Sequence, residues 1–140
     1  MLETLNYEQD YVDECRARSE AQVAAFQDVR SRADLDGTDP VGSLEPDFFN
    51  NMLLVLDAYF VHRPRDMGGH LGGPLTEVRV LADSLMLNGG TMLADHQNGL
   101  DPAKSVLGYA EGDDIHLTAE QYVTIARAFF DEVERRYVPQ

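Results

Sequence analysis

The 140-residue chain holds one cysteine, Cys15, and one lysine, Lys104. A single thiol cannot close an internal disulfide, so the fold has to hold without one. Basic charge is scarce. Lys104 and ten arginines stand against 25 acidic side chains, a formal net charge of −14. Binding a phosphate backbone needs a basic surface that displaces counterions, so nucleic acid is excluded as a partner class. Anionic membrane surfaces are disfavoured for the same reason. Long apolar runs are missing too. The longest, Met52–Leu56, falls far short of the ~20 residues that span a bilayer. The opening Met1-Leu2-Glu3-Thr4-Leu5-Asn6 has neither a basic n-region nor an apolar h-region, so no secretory signal is visible. These features together predict a cytoplasmic protein with no nucleic-acid or membrane partner.

What is present describes one folded domain over 1–140, acidic but not an acidic tail. The apolar content is 44%, enough for a chain of this size to bury roughly two-thirds of its extended surface. The nearly all-arginine basic set reads mainly as the codon usage of a GC-rich genome. Aspartate exceeds glutamate, 15 to 10, and the pI is near 4.4, which also suits a high-salt interior. Only that second reading predicts unfolding in low salt.

Apolar spacing predicts four helices. The first runs from about Tyr7 to Ala33, with a stripe of Val12, Cys15, Ser19, Gln22, Phe26, Val29 and Ala33. Ser19 and Gln22 place a polar layer in that seam, either tolerated near an edge or lining a polar pocket. The second helix starts near Pro46 and runs to Val61, apolar most of the way round and expected to be the most buried. Its thin polar stripe is Asp47, Asn50, Asn51 and Asp57. The third runs from Pro74 to about Asn88, with Leu75, Val78, Leu81, Ala82 and Leu85 inside and Gly89-Gly90 as a C-cap signal. In the fourth, Thr118-Ala119-Glu120-Gln121 fits a capping box, and Tyr122, Ile125, Ala126, Phe129, Val133 and Tyr137 share one face. The stretch from Gly89 to Leu117 exceeds the ~12–15 residues usual for a structureless loop. It is expected to hide structure: a short β-hairpin pairing Val106–Tyr109 with Asp114–Leu117, or a helical turn around Pro102–Val106.

The linker Asp34 to Leu44 deserves a calcium test. On an EF-hand loop, Asp34, Asp36, Thr38 and Glu45 fall at positions 1, 3, 5 and 12. Asp39 stands where the turn needs glycine, and Pro40 restricts it further. An acidic inter-helix turn is the simpler reading, and no metal is expected. A ferritin-like di-iron site would need Glu-x-x-His on two helices. The one acidic-x-x-His match is Asp113–His116, outside any predicted helix. The four histidines, His62, His70, His96 and His116, have no zinc-protease spacing, although His62, His70 and an acid could still meet in three dimensions. Cys15 lies on an apolar helix face, where a buried thiol is inert packing. No Gly-x-Ser-x-Gly elbow, Walker A loop or Rossmann fingerprint is present, and no cofactor is expected.

One segment runs against the acidic trend. His62, Arg63, Arg65 and His70 cluster around Gly68-Gly69-His70-Leu71-Gly72-Gly73, which leads into the N-terminus of the third helix. Free N–H groups there favour an anion. With Asp57, Glu77 and Arg79 nearby, this region is the candidate site for a small carboxylate or phosphate. The plainer reading is a helix connector whose arginines offset neighbouring acids, with Arg79 and Asp83 pairing four residues apart.

Three stretches stand out, Leu56-Asp57-Ala58-Tyr59-Phe60-Val61-His62-Arg63, Leu75-Thr76-Glu77-Val78-Arg79-Val80-Leu81 and Ser105-Val106-Leu107-Gly108, together with Gly112-Asp113 and the aromatics of the fourth helix. On these residues, the chain after Pro46 resembles a group of small uncharacterised bacterial all-helical proteins. The resemblance implies no activity, ligand or catalytic residue.

The expected fold is all-α, a four-helix, mainly antiparallel bundle with a long irregular segment before the last helix. The first helix, at ~27 residues, would be about 40 Å long and overhang its shorter neighbours, which predicts a homodimer. The expected function is a non-enzymatic acidic helical protein that binds a protein partner or a small anionic ligand. The alternative is a small enzyme acting on an anionic substrate around Asp57, His62, His70, Glu77 and Arg79.

Overall fold

The computed structural model describes residues 6–60, 73–94 and 100–139. They form four α-helices, α1 (Gln9–Ala33), α2 (Glu45–Ala58), α3 (Pro74–Leu87) and α4 (Ala119–Tyr137), with one 3₁₀ turn, Gly42–Leu44, leading into α2. No strand occurs among the described residues; one isolated antiparallel bridge, Thr91 with Asp114, is present. The protein is all-helical, as the apolar spacing predicts.

Side-chain pairs fix the directions. Tyr7 N–H donates to the Tyr137 carbonyl at 2.6 Å, and Arg16 reaches Asp131 and Glu134, so α1 and α4 run antiparallel. Phe26 of α1 meets Phe49 near the start of α2, while Tyr7 and Tyr11 meet Phe60 just beyond its end. Phe49 touches Tyr122, and Phe60 touches Phe129 and Phe130, so α2 runs along α4 in the same sense. α4 packs against each of the other three helices.

The helix ends follow local chemistry. Pro46 and Pro74 sit in the first turns of α2 and α3, where a missing N–H costs nothing. The Thr118–Gln121 capping box is complete, the Gln121 N–H donating to Thr118 Oγ1 at 3.1 Å and the Thr118 N–H to Gln121 Oε1 at 3.2 Å. α3 ends as expected, with Gly89 and Gly90 at positive φ and the Gly90 N–H bonded back to the Ser84 carbonyl at 3.0 Å. A side chain would strain either position.

Three expectations change. In the α1 seam Val12, Cys15, Ser19 and Phe26 are buried, but Gln22 is exposed and Val29 is 55% exposed. At ~100° per residue, a stripe centred on Val12 and Ser19 continues through Val23 and Arg30, leaving Gln22 and Val29 on its flank. Val23 packs against the core instead. Second, α3 rather than α2 is the more buried helix. Eight of its 14 residues are buried, against four of 14 in α2, where Val55 faces solvent. An all-round apolar helix need not be covered all round. α3 packs against α2 and α4, and its Ser84 and Glu77 also bond to the backbone at Leu93, Val106 and Leu107.

Third, the hairpin between 106–109 and 114–117 does not form. Its second arm pairs with the chain just after α3: the Met92 N–H donates to the Asp113 carbonyl at 2.8 Å and the Ile115 N–H to the Gly90 carbonyl at 2.9 Å. The turn after Asp101 does form, its carbonyl accepting from the Lys104 and Ser105 N–H groups at 2.9 Å each.

Candidate functional site

His62, Arg63, Arg65 and His70 lie outside the described residues. The other three members of the expected constellation divide. Asp57, near the end of α2, faces Arg79 of α3, with Nε 4.0 Å from Oδ1. Arg79 therefore lies against Asp57 of the neighbouring helix. Glu77, two residues before Arg79, points elsewhere, because positions two apart on a helix do not share a face. Its carboxylate is 2% exposed. Oε1 accepts from the Val106 N–H at 2.7 Å and Oε2 from the Leu107 N–H at 2.9 Å. Burial pushes this carboxyl above its ordinary range, and the two N–H donors pull it partway back. Glu77 is a clamp on the 101–108 segment, while Asp57 and Arg79 face each other.

The four acidic-linker residues are also spoken for separately. Asp34 accepts from the Asp39 N–H at 2.8 Å, and Asp36 from Thr38 Oγ1 at 2.7 Å. Glu45 receives the Ala119 N–H at 2.9 Å and lies 3.1 Å from an Arg30 nitrogen. Asp39, at φ 48, takes the left-handed turn that glycine would usually supply and is gripped by Arg30 through both oxygens, at 2.9 and 2.5 Å. Among the described residues no group of three or more His, Cys, Asp or Glu side chains is placed to hold a metal.

The described residues also form concavities. One, of about 730 Å³, lies between α2, the end of α3 and residues 114–116. Leu54, Leu85, Met86 and Ile115 give it apolar surface, Asp47 and Asp114 flank it, and among the described residues no lysine or arginine lines it. Asn50, read in the sequence as part of a polar stripe, ties its wall together. Its Nδ2 donates to the Ile115 carbonyl at 2.9 Å and its Oδ1 accepts from the Leu117 N–H at 3.1 Å. Another concavity, of about 290 Å³, runs between α1 and α4 over Ser19 and Tyr122. The Ser19 and Tyr122 oxygens are 2.5 Å apart, both groups buried. Ser19 is visible in the sequence as a polar residue in the seam; its partner, 103 residues away, is not.

Charge is unevenly distributed over the described surface. α1 and α4 carry most of the arginines. Arg30 reaches beyond them to hold Asp39 and Glu45; others use acids of the same two helices. Arg18 pairs with Glu14, Arg32 with Asp28, Arg16 with Asp131 and Glu134, and Arg135 and Arg136 with Glu132. α2 holds Glu45, Asp47 and Asp57 and no basic residue, and residues 111–114 hold Glu111, Asp113 and Asp114. Of these acids, Asp47 and Asp114 line the larger cleft, while Glu45 lies against Arg30 and Asp57 against Arg79.

Compared with protein-family models, characterised proteins and solved structures, the chain has no match. No helix among the described residues is long and apolar enough to cross a membrane. The described residues thus define an all-helical bundle that carries an acidic cleft and a smaller groove.

Proposed function

We propose that the protein is a non-enzymatic helical binding module, and that its acidic cleft receives a basic, apolar-anchored segment of a protein partner. The cleft itself carries this reading: apolar surface from Leu54, Leu85, Met86 and Ile115, flanked by Asp47 and Asp114, with no lysine or arginine among the described residues that line it. Met86 is 67% exposed beside it, an anchor surface of the kind partners cover. A cationic partner would be steered in by the excess negative charge, and that attraction weakens with salt. The commitment of the Glu77 carboxylate to the Val106 and Leu107 N–H groups favours binding over the enzyme reading, which needs that carboxylate at the substrate. Cytoplasmic residence accords with a single, buried cysteine.

Fluorescence anisotropy with a labelled lysine/leucine amphipathic peptide tests this. The expected result is saturable binding that weakens with salt, weakens on Asp47→Asn with Asp114→Asn, and is absent for a glutamate/leucine peptide of the same length. Equal binding by both peptides removes the reading.

A second reading, a homodimer, draws on Val29, Leu35 and Leu44, which are 55%, 87% and 50% exposed around the end of α1 and the following linker. Light scattering giving 15.6 kDa for the species in solution rejects it. The small-anion site at His62, Arg63, Arg65 and His70 is tested separately by thermal shift with phosphate and carboxylic acids.

A further inference from the structure

The groove between α1 and α4 has a donor to spare. Ser19 Oγ and the Tyr122 hydroxyl share one hydrogen bond, yet together they carry two O–H hydrogens. Whichever donates, the other hydrogen has no acceptor among the described residues; Ser19 does not bond back to the carbonyl four residues earlier, as Ser84 does to Val80. Ser19 is 3% exposed and Tyr122 1%, so bulk water does not freely satisfy it. A buried, unsatisfied donor is costly, and such groups are rare unless something meets them.

The surroundings say what kind of acceptor fits. The walls above the hydroxyls are apolar: Val23 and Ala24 on α1, Val123, Ala126 and Phe130 on α4. The lining holds charge of both signs. Arg16 is held by Asp131 and Glu134 and stacks over Phe130, 5.0 Å from its centroid. Glu20 on α1 and Arg127 on α4 add one charge of each sign to the lining. A ligand with net charge of either sign gains little, whereas an apolar body carrying one acceptor meets both the walls and the free hydrogen. The volume, about 290 Å³, lies at the small end for ligand sites.

We infer that the α1/α4 groove binds a small, uncharged, mostly apolar molecule through one hydrogen-bond acceptor, such as a carbonyl oxygen, placed against the Ser19–Tyr122 hydroxyl pair. This site is separate from the acidic cleft and does not depend on it.

Acetophenone, ethylbenzene and phenylacetate serve as probes: the first has the acceptor, the second lacks it, the third is an anion. Backbone amide shifts of the intact protein report binding and its place. The expected result is that acetophenone shifts amides in 16–24 and 122–130 and binds roughly tenfold more tightly than ethylbenzene, with phenylacetate weaker than acetophenone. Ser19→Ala combined with Tyr122→Phe removes both hydroxyls, which leaves no orphaned partner and so spares the fold. That variant should bind acetophenone and ethylbenzene alike. The inference is overturned if ethylbenzene matches acetophenone on the native protein, if the double variant keeps the preference, or if phenylacetate binds best. Shifts confined to other residues, or none at saturation, overturn it too and leave the groove to water.

Discussion

Glu77 and Leu107 lie 30 residues apart in the chain, and the buried carboxylate of one holds the backbone N–H of the other at 2.9 Å. With Val106 as the second donor, this bond fastens the irregular stretch before α4 onto α3. Removing the acceptor leaves two N–H groups without a partner. Glu77→Ala is expected to cost about 3 kcal/mol, from ~1–3 kcal/mol per orphaned buried donor, read as a lowered urea midpoint. An unchanged midpoint contradicts the clamp.

The same carboxyl predicts a pH slope. Burial raises it above its ordinary 4.5 despite the Leu107 and Val106 donors. As pH climbs past 4.5 the unfolded chain loses this proton first, so the native state is progressively less favoured until the folded pKa is passed. Glu77→Gln has no such proton. Urea unfolding across mildly acidic pH should show the wild-type curve falling relative to the variant; parallel curves would refute this.

Arg30 and Asp39 give the opposite sign. The guanidinium bonds hold the Asp39 carboxyl below its ordinary 3.8. Its contribution is therefore present above that value and lost as pH falls through the depressed one. Asp39→Asn should melt lower at neutral pH and show a shallower acid limb. Differential scanning calorimetry over a descending pH series decides it.

Among six tyrosines, Tyr11 and Tyr122 are pushed up to about 12, chiefly by burial. A spectrophotometric titration should therefore leave part of the tyrosine absorbance change incomplete well past the ordinary 10.0. Because the unfolded chain ionises sooner, stability falls as pH rises above that value. Tyr122→Phe should remove one of the late-ionising groups. A single transition near 10 for all six would rule this out.

Cys15 is 3% exposed, and burial raises its thiol. Little thiolate and little access mean slow chemistry. A disulfide reagent should label the native protein at the rate of unfolding and the denatured protein at once. Prompt labelling in native buffer would contradict that burial.

The helices were readable because each signal is local: apolar residues every three or four positions, prolines at first turns, Thr118 with Gln121, and Gly89-Gly90 after α3. The α1 seam was readable only as far as Ser19; beyond it, 3.6-residue geometry moves the buried line from Gln22 to Val23. The irregular stretch was not readable. Glu77 and Asn50 organise it through side-chain bonds to backbone groups 29 to 67 positions away, and nothing near Val106 or Ile115 announces such a partner. The candidate site suffered from the converse. Glu77 and Arg79 look like one cluster on paper, but two positions along a helix sends them to different neighbours.

α4 is the helix on which α1, α2 and α3 all lean, and it follows them in the chain. During synthesis, Val12, Phe49 and Leu81 are made well before Tyr122, Ile125 and Phe129, the residues that will enclose them. Until residues 119–137 have left the ribosome, three helices carry apolar faces with no lid. The core of this protein therefore closes in one late step, after translation has passed its most water-averse segments, and the unfinished chain is the form most in need of a chaperone.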